Sequence, residues 1–487
     1  MAAVGRDATR EIHRAVVDGV PVFWADLDAP YMGALVFRVG FADETLPTSG
    51  MTHLVEHLAL WQFAGDQPYE YNGMVEPHRT IFYASGTGEQ VGEFLSLTAA
   101  ALAEPPVDKI DVERRILETE EEGGGAGLVT FHRWLRYGAT GHGLSYYRAL
   151  GLRRADADGV AAWSRRYFNG GNAAVWLSGP PPEGLTLRLP HGERQAPAEA
   201  IVTPHAFPVF FHDDARDLVG LSARGRAGAA LPAAIRIAGR RVRRQLRYEL
   251  GVSYDVGHDV DVVDAETRVH FLWADCLGEN AQTCLDEMLA IVARLAEEGP
   301  TEEELATEAE RSRAMLADPD AVRGHLDFCV EAELLGRPQR SPEELVEEDE
   351  ALTAEAVAAA LRTALETAIV SAPEGTKRPE WLNPPGDHGG EIEGETFWER
   401  RRLWERRKRG RLVVGADGVA WVTPDGEINA AERDQIVAVG LLDDGAFSVR
   451  RSCGCFIDVS PGEIDDFERA RELVLQLVPE DLVIPPS

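Results

Sequence analysis

Two rhythms of apolar and polar residues divide the chain. In "MTHLVEHLAL" (51–60), Leu54, Leu58 and Leu60 give a helix a core face that leaves the histidines outside it. "GVPVFWAD" (19–26) is a short apolar run, the grammar of a buried strand. It returns as "AFPVFFHD" at 206–213, and "GVAAWSRRYFNGGNAAVWLSGPPPEG" (159–184) returns as "AVAAALRTALETAIVSAPEG" (356–375). In both copies an alanine-rich helix leads into an apolar strand that stops at a Pro- and Gly-containing turn. A repeat of about 190 residues is far too long for a solenoid and indicates duplicated domains. Strands followed by helices in each half predict an α+β chain, with one domain at 10–195 and its relative at 200–373.

Beyond 373 the pattern changes. A Pro- and Gly-rich linker occupies 374–410 and contains the basic stretch "ERRRLWERRKRGR" (399–411), whose default reading is a solvated helix. Short strands with Asp-Gly turns then fill 411–459, and Ile464, Phe467, Ala470, Leu473 and Leu477 line one face of a closing helix. This small β-rich module (411–487) is similar to a pleckstrin-homology-like fold, a likeness that implies no ligand.

Composition narrows the function classes. The 487 residues carry a net charge of −33, which disfavours nucleic acid and anionic lipid and favours basic peptides. No apolar stretch is long enough to span a membrane, and the first residues lack a signal-peptide h-region. Five cysteines, Cys276, Cys284, Cys329, Cys453 and Cys455, are odd and sparse, as expected of a reducing cytoplasm. The "CGC" at 453–455 is expected on a strand with both thiols on one side.

The chemistry is concentrated in "HLVEH" (53–57). Histidines at i and i+4 share one helix face and can grip one cation, and Glu56 projects to the same side. Two imidazoles with a carboxylate suit Zn²⁺, and a nearby carboxylate can take a proton from the water that zinc acidifies. A third ligand is needed. In "DVERRILETEEEGGG" (111–125), an inward face of Ile110, Ile116 and Leu117 also carries Glu120, which becomes the third ligand. Glu113, seven residues earlier, is placed to orient a ligand histidine.

With these residues in view, the chain resembles the pitrilysin, insulin-degrading and mitochondrial-processing peptidase family, the zinc peptidases with the inverted H-x-x-E-H motif. The likeness extends over 15–372, through "RVGFADETLPTSGMTHLVEHLAL" (38–60) and "ERRILETE" (113–120). It implies two related α/β-sandwich domains of the pitrilysin-like type. It also implies zinc on His53, His57 and Glu120, Glu56 as general base and Glu113 as a supporting residue. "NGMVEPHRTIFYASG" (72–86) resembles the family's edge strand, along which substrate binds by strand addition, and makes Asn72 a substrate contact. His78 has no family role and reads as a surface or packing residue. "QLRYELGVSYDVGHD" (245–259) resembles the family's Arg-x6-Tyr element, so Arg247 and Tyr254 are expected to bind substrate and stabilise the oxyanion. Two departures stand out: a short connection at 61–71, and glycines that interrupt the helix after Glu120.

Family chambers use four such domains and this chain supplies two. The resemblance therefore implies a cytoplasmic zinc endopeptidase working as a homodimer, or as a heterodimer with a related subunit. Each Arg247–Tyr254 pair would complete the partner's zinc site. A basic peptide or a ribosomally made precursor is the expected substrate, with no nucleic acid and no membrane span. The competing expectation is a non-catalytic peptide-binding or partner subunit. A third is that the C-terminal module recruits a partner or precursor.

Overall fold

The structure is a computed structural model that describes residues 11–27, 29–122, 127–213, 215–386, 390–400 and 409–486. Strands β1 (His13–Val17), β2 (Val20–Trp24), β3 (Tyr31–Phe37), β4 (Glu70–Val75), β5 (Thr80–Gly86) and β6 (Ala173–Leu177) form a sheet ordered β1-β2-β6-β3-β5-β4. Strands β7 (Val209–His212), β8 (Leu218–Arg226), β9 (Val256–Val262), β10 (Thr267–Asp275) and β11 (Ile369–Ala372) form a second, ordered β7-β11-β8-β10-β9. Without β1 the two orders are the same. Each contains one parallel pair, β2 with β6 and β7 with β11, and these four strands are the repeated apolar runs of the sequence. β6 and β11 are buried along their whole length, and β2 and the start of β7 are largely so, which is why these runs read as apolar stretches.

The helices are α1 (Met51–Leu60), α2 (Gly88–Ala103), α3 (Ile110–Glu122), α4 (Leu128–Tyr137) and α5 (Ala157–Tyr167) in the first half. In the second half they are α6 (Ala230–Arg243), α7 (Ala281–Glu298), α8 (Glu302–Ala317), α9 (Pro319–Leu334), α10 (Pro342–Glu350) and α11 (Ala354–Leu365). One face of the first sheet is covered by α1, α2, α3 and α5, and one face of the second by α6, α7 and α11. The opposite faces are covered crosswise. Helix α9 lays Val322, Leu326, Val330 and Leu334 on Phe23, Val36, Ala174 and Trp176 of the first sheet. Helix α4 lays Phe131 and Leu135 on Val209 and Ile369 of the second. His132 of α4 bridges the Ser222 and Ser371 hydroxyls, at 2.9 and 2.8 Å. The two halves are thus locked by exchanged helices, a feature that the domain limits read from sequence do not anticipate.

That lock also places His78. The segment 72–86 is not one edge strand but a hairpin, with β4 as the edge and β5 inside the sheet. His78 sits in its turn, buried, with Nε2 3.4 Å from Glu331 of α9. Beside it Arg79 pairs with Asp327 at 2.8 Å.

The C-terminal module begins earlier than residue 411. Strand β12 (Glu395–Trp398) pairs with β13 (Arg411–Gly415), followed by β14 (Gly418–Val422) and β15 (Ile428–Glu432). A second sheet has β16 (Ile436–Leu441), β17 (Phe447–Arg451), β18 (Phe456–Val459) and β19 (Val483–Ile484) in the order β18-β17-β16-β19. Helix α12 (Phe467–Leu477) closes the core with Phe467, Ala470, Val474 and Leu477. Of the basic stretch expected to be helical, residues 401–408 lie outside the described residues. Cys453 and Cys455 occupy the turn between β17 and β18 rather than a strand, because Gly454 takes a φ of +91° that reverses the chain. None of the five cysteines is in a disulfide.

The module packs on the first half. Ala139 N donates to Ser452 O at 2.9 Å, and Leu46, Ala139 and Leu144 share a small core with Ala438 and Ile484. Arg154 donates to the carbonyls of Glu480 and Val483 at 2.8 and 2.6 Å. At Gly138, φ is +60° and an added Cβ would lie 2.0 Å from Ser452 O. Gly138→Ala is therefore expected to cost about 3 kcal/mol through backbone strain and the clash. Urea denaturation checks this; an unchanged midpoint would contradict the docking described.

Candidate metal centre

Helix α1 starts where Gly50 adopts a φ of +88°. The first N–H groups of a helix lack intrahelical partners. Here the Glu44 carboxylate accepts from Gly50 N at 2.8 Å and Thr52 N at 2.7 Å. Buried Leu54, Val55 and Leu58 fix the rotation of the helix, which turns His53, Glu56 and His57 toward α3 and β4. The two imidazole rings meet edge to face, 4.7 Å between centroids.

Helix α3 runs alongside. Ile110, Glu113 and Leu117, spaced at three and four residues, form its buried stripe. Glu120 follows at the next step of that stripe. Ile116, expected on the inward face, is instead 44% exposed. It lies a quarter-turn off the stripe, so proximity in sequence to Leu117 misplaced it.

Glu120 Oε2 lies 3.6 Å from His57 Nε2 and 4.0 Å from His53 Nε2. One donor atom from each of the three residues lies within 4.8 Å of the other two. Donors about 2.0–2.1 Å from one tetrahedral zinc stand ~3.3 Å apart, so modest side-chain rotation closes the set. Glu113 Oε2 lies 2.8 Å from His57 Nδ1. With Nδ1 engaged by that carboxylate, Nε2 is the ring atom that faces Glu120. Burial, aided by His57, pulls His53 down to about 4, so its imidazole is neutral as a ligand must be. Glu56 Oε2 lies 3.7 and 3.8 Å from the two Nε2 atoms. Burial pushes its carboxyl up to about 7; His57 opposes the rise, and Glu120 and Glu113 add to it. Among the described residues, no arginine or lysine forms an ion pair with Glu56, Glu113 or Glu120. Two imidazoles and a carboxylate aimed at one point, with no arginine or lysine among the described residues paired to them, fit a zinc ion.

Gly73 is a residue that the motif alone did not single out. It stands on β4 directly over Glu56, and a Cβ there would lie 1.8 Å from Glu56 Oε1. The missing side chain leaves the space that the carboxylate fills. Asn72 lies on the exposed face of the same strand, its Oδ1 accepting from Gly73 N. As the last strand of its sheet, β4 has one free edge. Of the short 61–71 connection, Trp61–Phe63 is a single tight turn, 64–69 a loop, and the last two residues already open β4.

Arg247 and Tyr254 come together elsewhere. A π-helical turn, Arg244–Glu249, ends α6 and presents Arg247 4.7 Å from the Tyr254 ring and 5.5 Å from the Tyr248 ring. Tyr254 is 74% exposed. Among the described residues no hydrogen bond, ion pair or ring contact links Arg247 or Tyr254 to the α1–α3 cluster.

No family model matches this sequence, and no curated protein does. Solved structures match its fold. A "peptidase M16 inactive domain" from Pseudomonas fluorescens aligns over 76% of this chain and 100% of its own, with TM-score 0.62 and 16% identity. A protease from Helicobacter pylori aligns over 75% and 100%, with TM-score 0.61 and 13% identity. Pitrilysin aligns over 76% of this chain and 45% of its own, with TM-score 0.55 and 16% identity. The fold is that of M16 peptidase domains. At such identities the likeness establishes the fold alone, and one match is named an inactive domain, so function rests on the side chains.

Replacing Glu113 by Ala is expected to weaken zinc affinity 10- to 100-fold by freeing the His57 ring. Competition with a chromogenic chelator measures it; wild-type affinity would show that Glu113 does not orient the ligand.

Proposed function

We propose that the chain is a zinc-dependent endopeptidase acting on peptides or unfolded precursor segments. The observation that carries this reading is the convergence of His53, His57 and Glu120, with Glu56 between them and the free edge of β4. When bound, zinc supplies Lewis acidity, polarising a carbonyl oxygen and acidifying water near neutral pH. The protein does the rest. Strand β4 pairs with the backbone of an extended peptide, which brings a carbonyl over Glu56. Glu56 takes a proton on its carboxylate from the attacking water and returns it to the departing amine, so that the base is regenerated. Glu113 keeps His57 from turning as charge develops.

The Arg247–Tyr254 pair supplies donors suited to an oxyanion but stands apart from the metal cluster in its own chain. We assign it to the cluster of a second subunit, a homodimer being the simplest case and a heterodimer with a related subunit the alternative. The charge of −33 favours basic peptides as substrates. Because this fold also occurs in an inactive domain, a non-catalytic peptide-binding subunit is the competing reading.

Glu56→Gln should abolish hydrolysis of a peptide library while one zinc per chain persists by elemental analysis. Undiminished turnover would defeat the mechanism, and a metal-free wild-type protein would favour the binding subunit. Glu56→Gln and Arg247→Ala chains, each inactive alone, should regain activity when mixed and allowed to exchange. No recovery would contradict completion of one subunit's site by the other.

A further inference from the structure

Beside His53 a cavity of about 210 Å³ opens between the start of α1, the end of β4 and the 144–149 segment. Its walls are Phe41, Val75, Leu144, Tyr147 and Ala149. Apart from His53, the metal-ligand candidate at its rim, the polar side chains that reach it are already engaged. Glu44 accepts from Gly50 N and Thr52 N. Ser49 Oγ donates to Leu46 O and accepts from Gly151 N. Ser145 Oγ donates to His142 O, while Tyr147 Oη accepts from Trp134 Nε1 and donates to Gly454 O. A ligand entering this cavity finds paired polar groups and open apolar surface.

The far wall is not held by the first half alone. Gly454 belongs to the turn between β17 and β18, so the Tyr147 hydroxyl is tied to the C-terminal module. Leu144 packs in the small core shared with Ala438 and Ile484 of that module.

Resting on the peptidase reading above, we propose that this cavity is a subsite for one apolar substrate side chain of Leu, Met or Phe size, and that the C-terminal module sets its selectivity by bracing its wall. The cavity lies between a metal-ligand candidate and the end of the substrate-pairing edge. Side chains of an extended peptide leave that edge alternately, so one of them reaches the cavity mouth. The module, which the peptidase chemistry does not use, thereby acquires a role as a fixed part of the cleft rather than a separate recruiting domain.

The test is peptide-library digestion by the full-length zinc-loaded chain, paired with fluorescence-anisotropy binding of the same peptides to Glu56→Gln. Wild type should prefer Leu, Met or Phe over Ala and Asp at one position, by at least tenfold in kcat/KM and in affinity. Ala149→Leu, which fills the cavity, should shift that position to Gly and Ala. Ile484→Ala and Tyr147→Phe, which loosen the wall from the module side, should cut the preference at the same position severalfold, chiefly through KM, with zinc content retained. Tyr147→Phe keeps the test open if Ile484→Ala fails to fold. Cleavage with no position responsive to Ala149→Leu would overturn the subsite, and wild-type selectivity in both module-side variants would overturn the bracing. A wild-type chain that neither cleaves nor binds any peptide would instead overturn the peptidase reading itself.

Discussion

Three carboxylates gathered around two imidazoles in a partly buried cleft repel one another, and every other feature of the site follows from that crowding. Glu56 and Glu113 are buried beside Glu120, and no arginine or lysine among the described residues answers them. Coulomb repulsion and desolvation both disfavour this arrangement in the protein alone. A divalent cation would offset both at once. The rigid surroundings make sense on that basis: Glu44 anchors the start of α1, Glu113 holds His57, and Gly73 leaves room for Glu56.

The scaffold that fixes this cluster is a duplicated sheet whose halves exchange helices. Helix α4 follows the acidic helix α3 and lies on the second sheet, while α9 returns to the first. The geometry of the site is therefore coupled to the junction between the halves as well as to a local motif. The C-terminal module adds a third support where it meets the loop before α1 and the 138–154 segment.

Much of this was legible in the sequence because it depends on short-range periodicity. The H-x-x-E-H spacing fixes which side chains share a face of α1, and the spacing of Glu113 and Glu120 does the same on α3. The repeated apolar runs marked the four parallel-paired strands. What was misplaced depended on tertiary neighbours. Ile116 is apolar yet points outward, since the α3 stripe is set by Ile110, Glu113 and Leu117. His78 is buried only because α9 arrives from a distant stretch of chain. The start of the module at β12 was hidden because a strand beside a basic stretch reads as linker until its pairing partner is known. Gly73 and the braced cavity wall have no sequence signature at all.

The most direct measurement is an anomalous difference map at the zinc absorption edge from crystals of the full-length chain. The account predicts one strong peak per chain, about 2.0–2.2 Å from His53 Nε2, His57 Nε2 and a Glu120 carboxylate oxygen. A zinc-saturated crystal with no peak there, or with the three side chains turned away from one another, would contradict it.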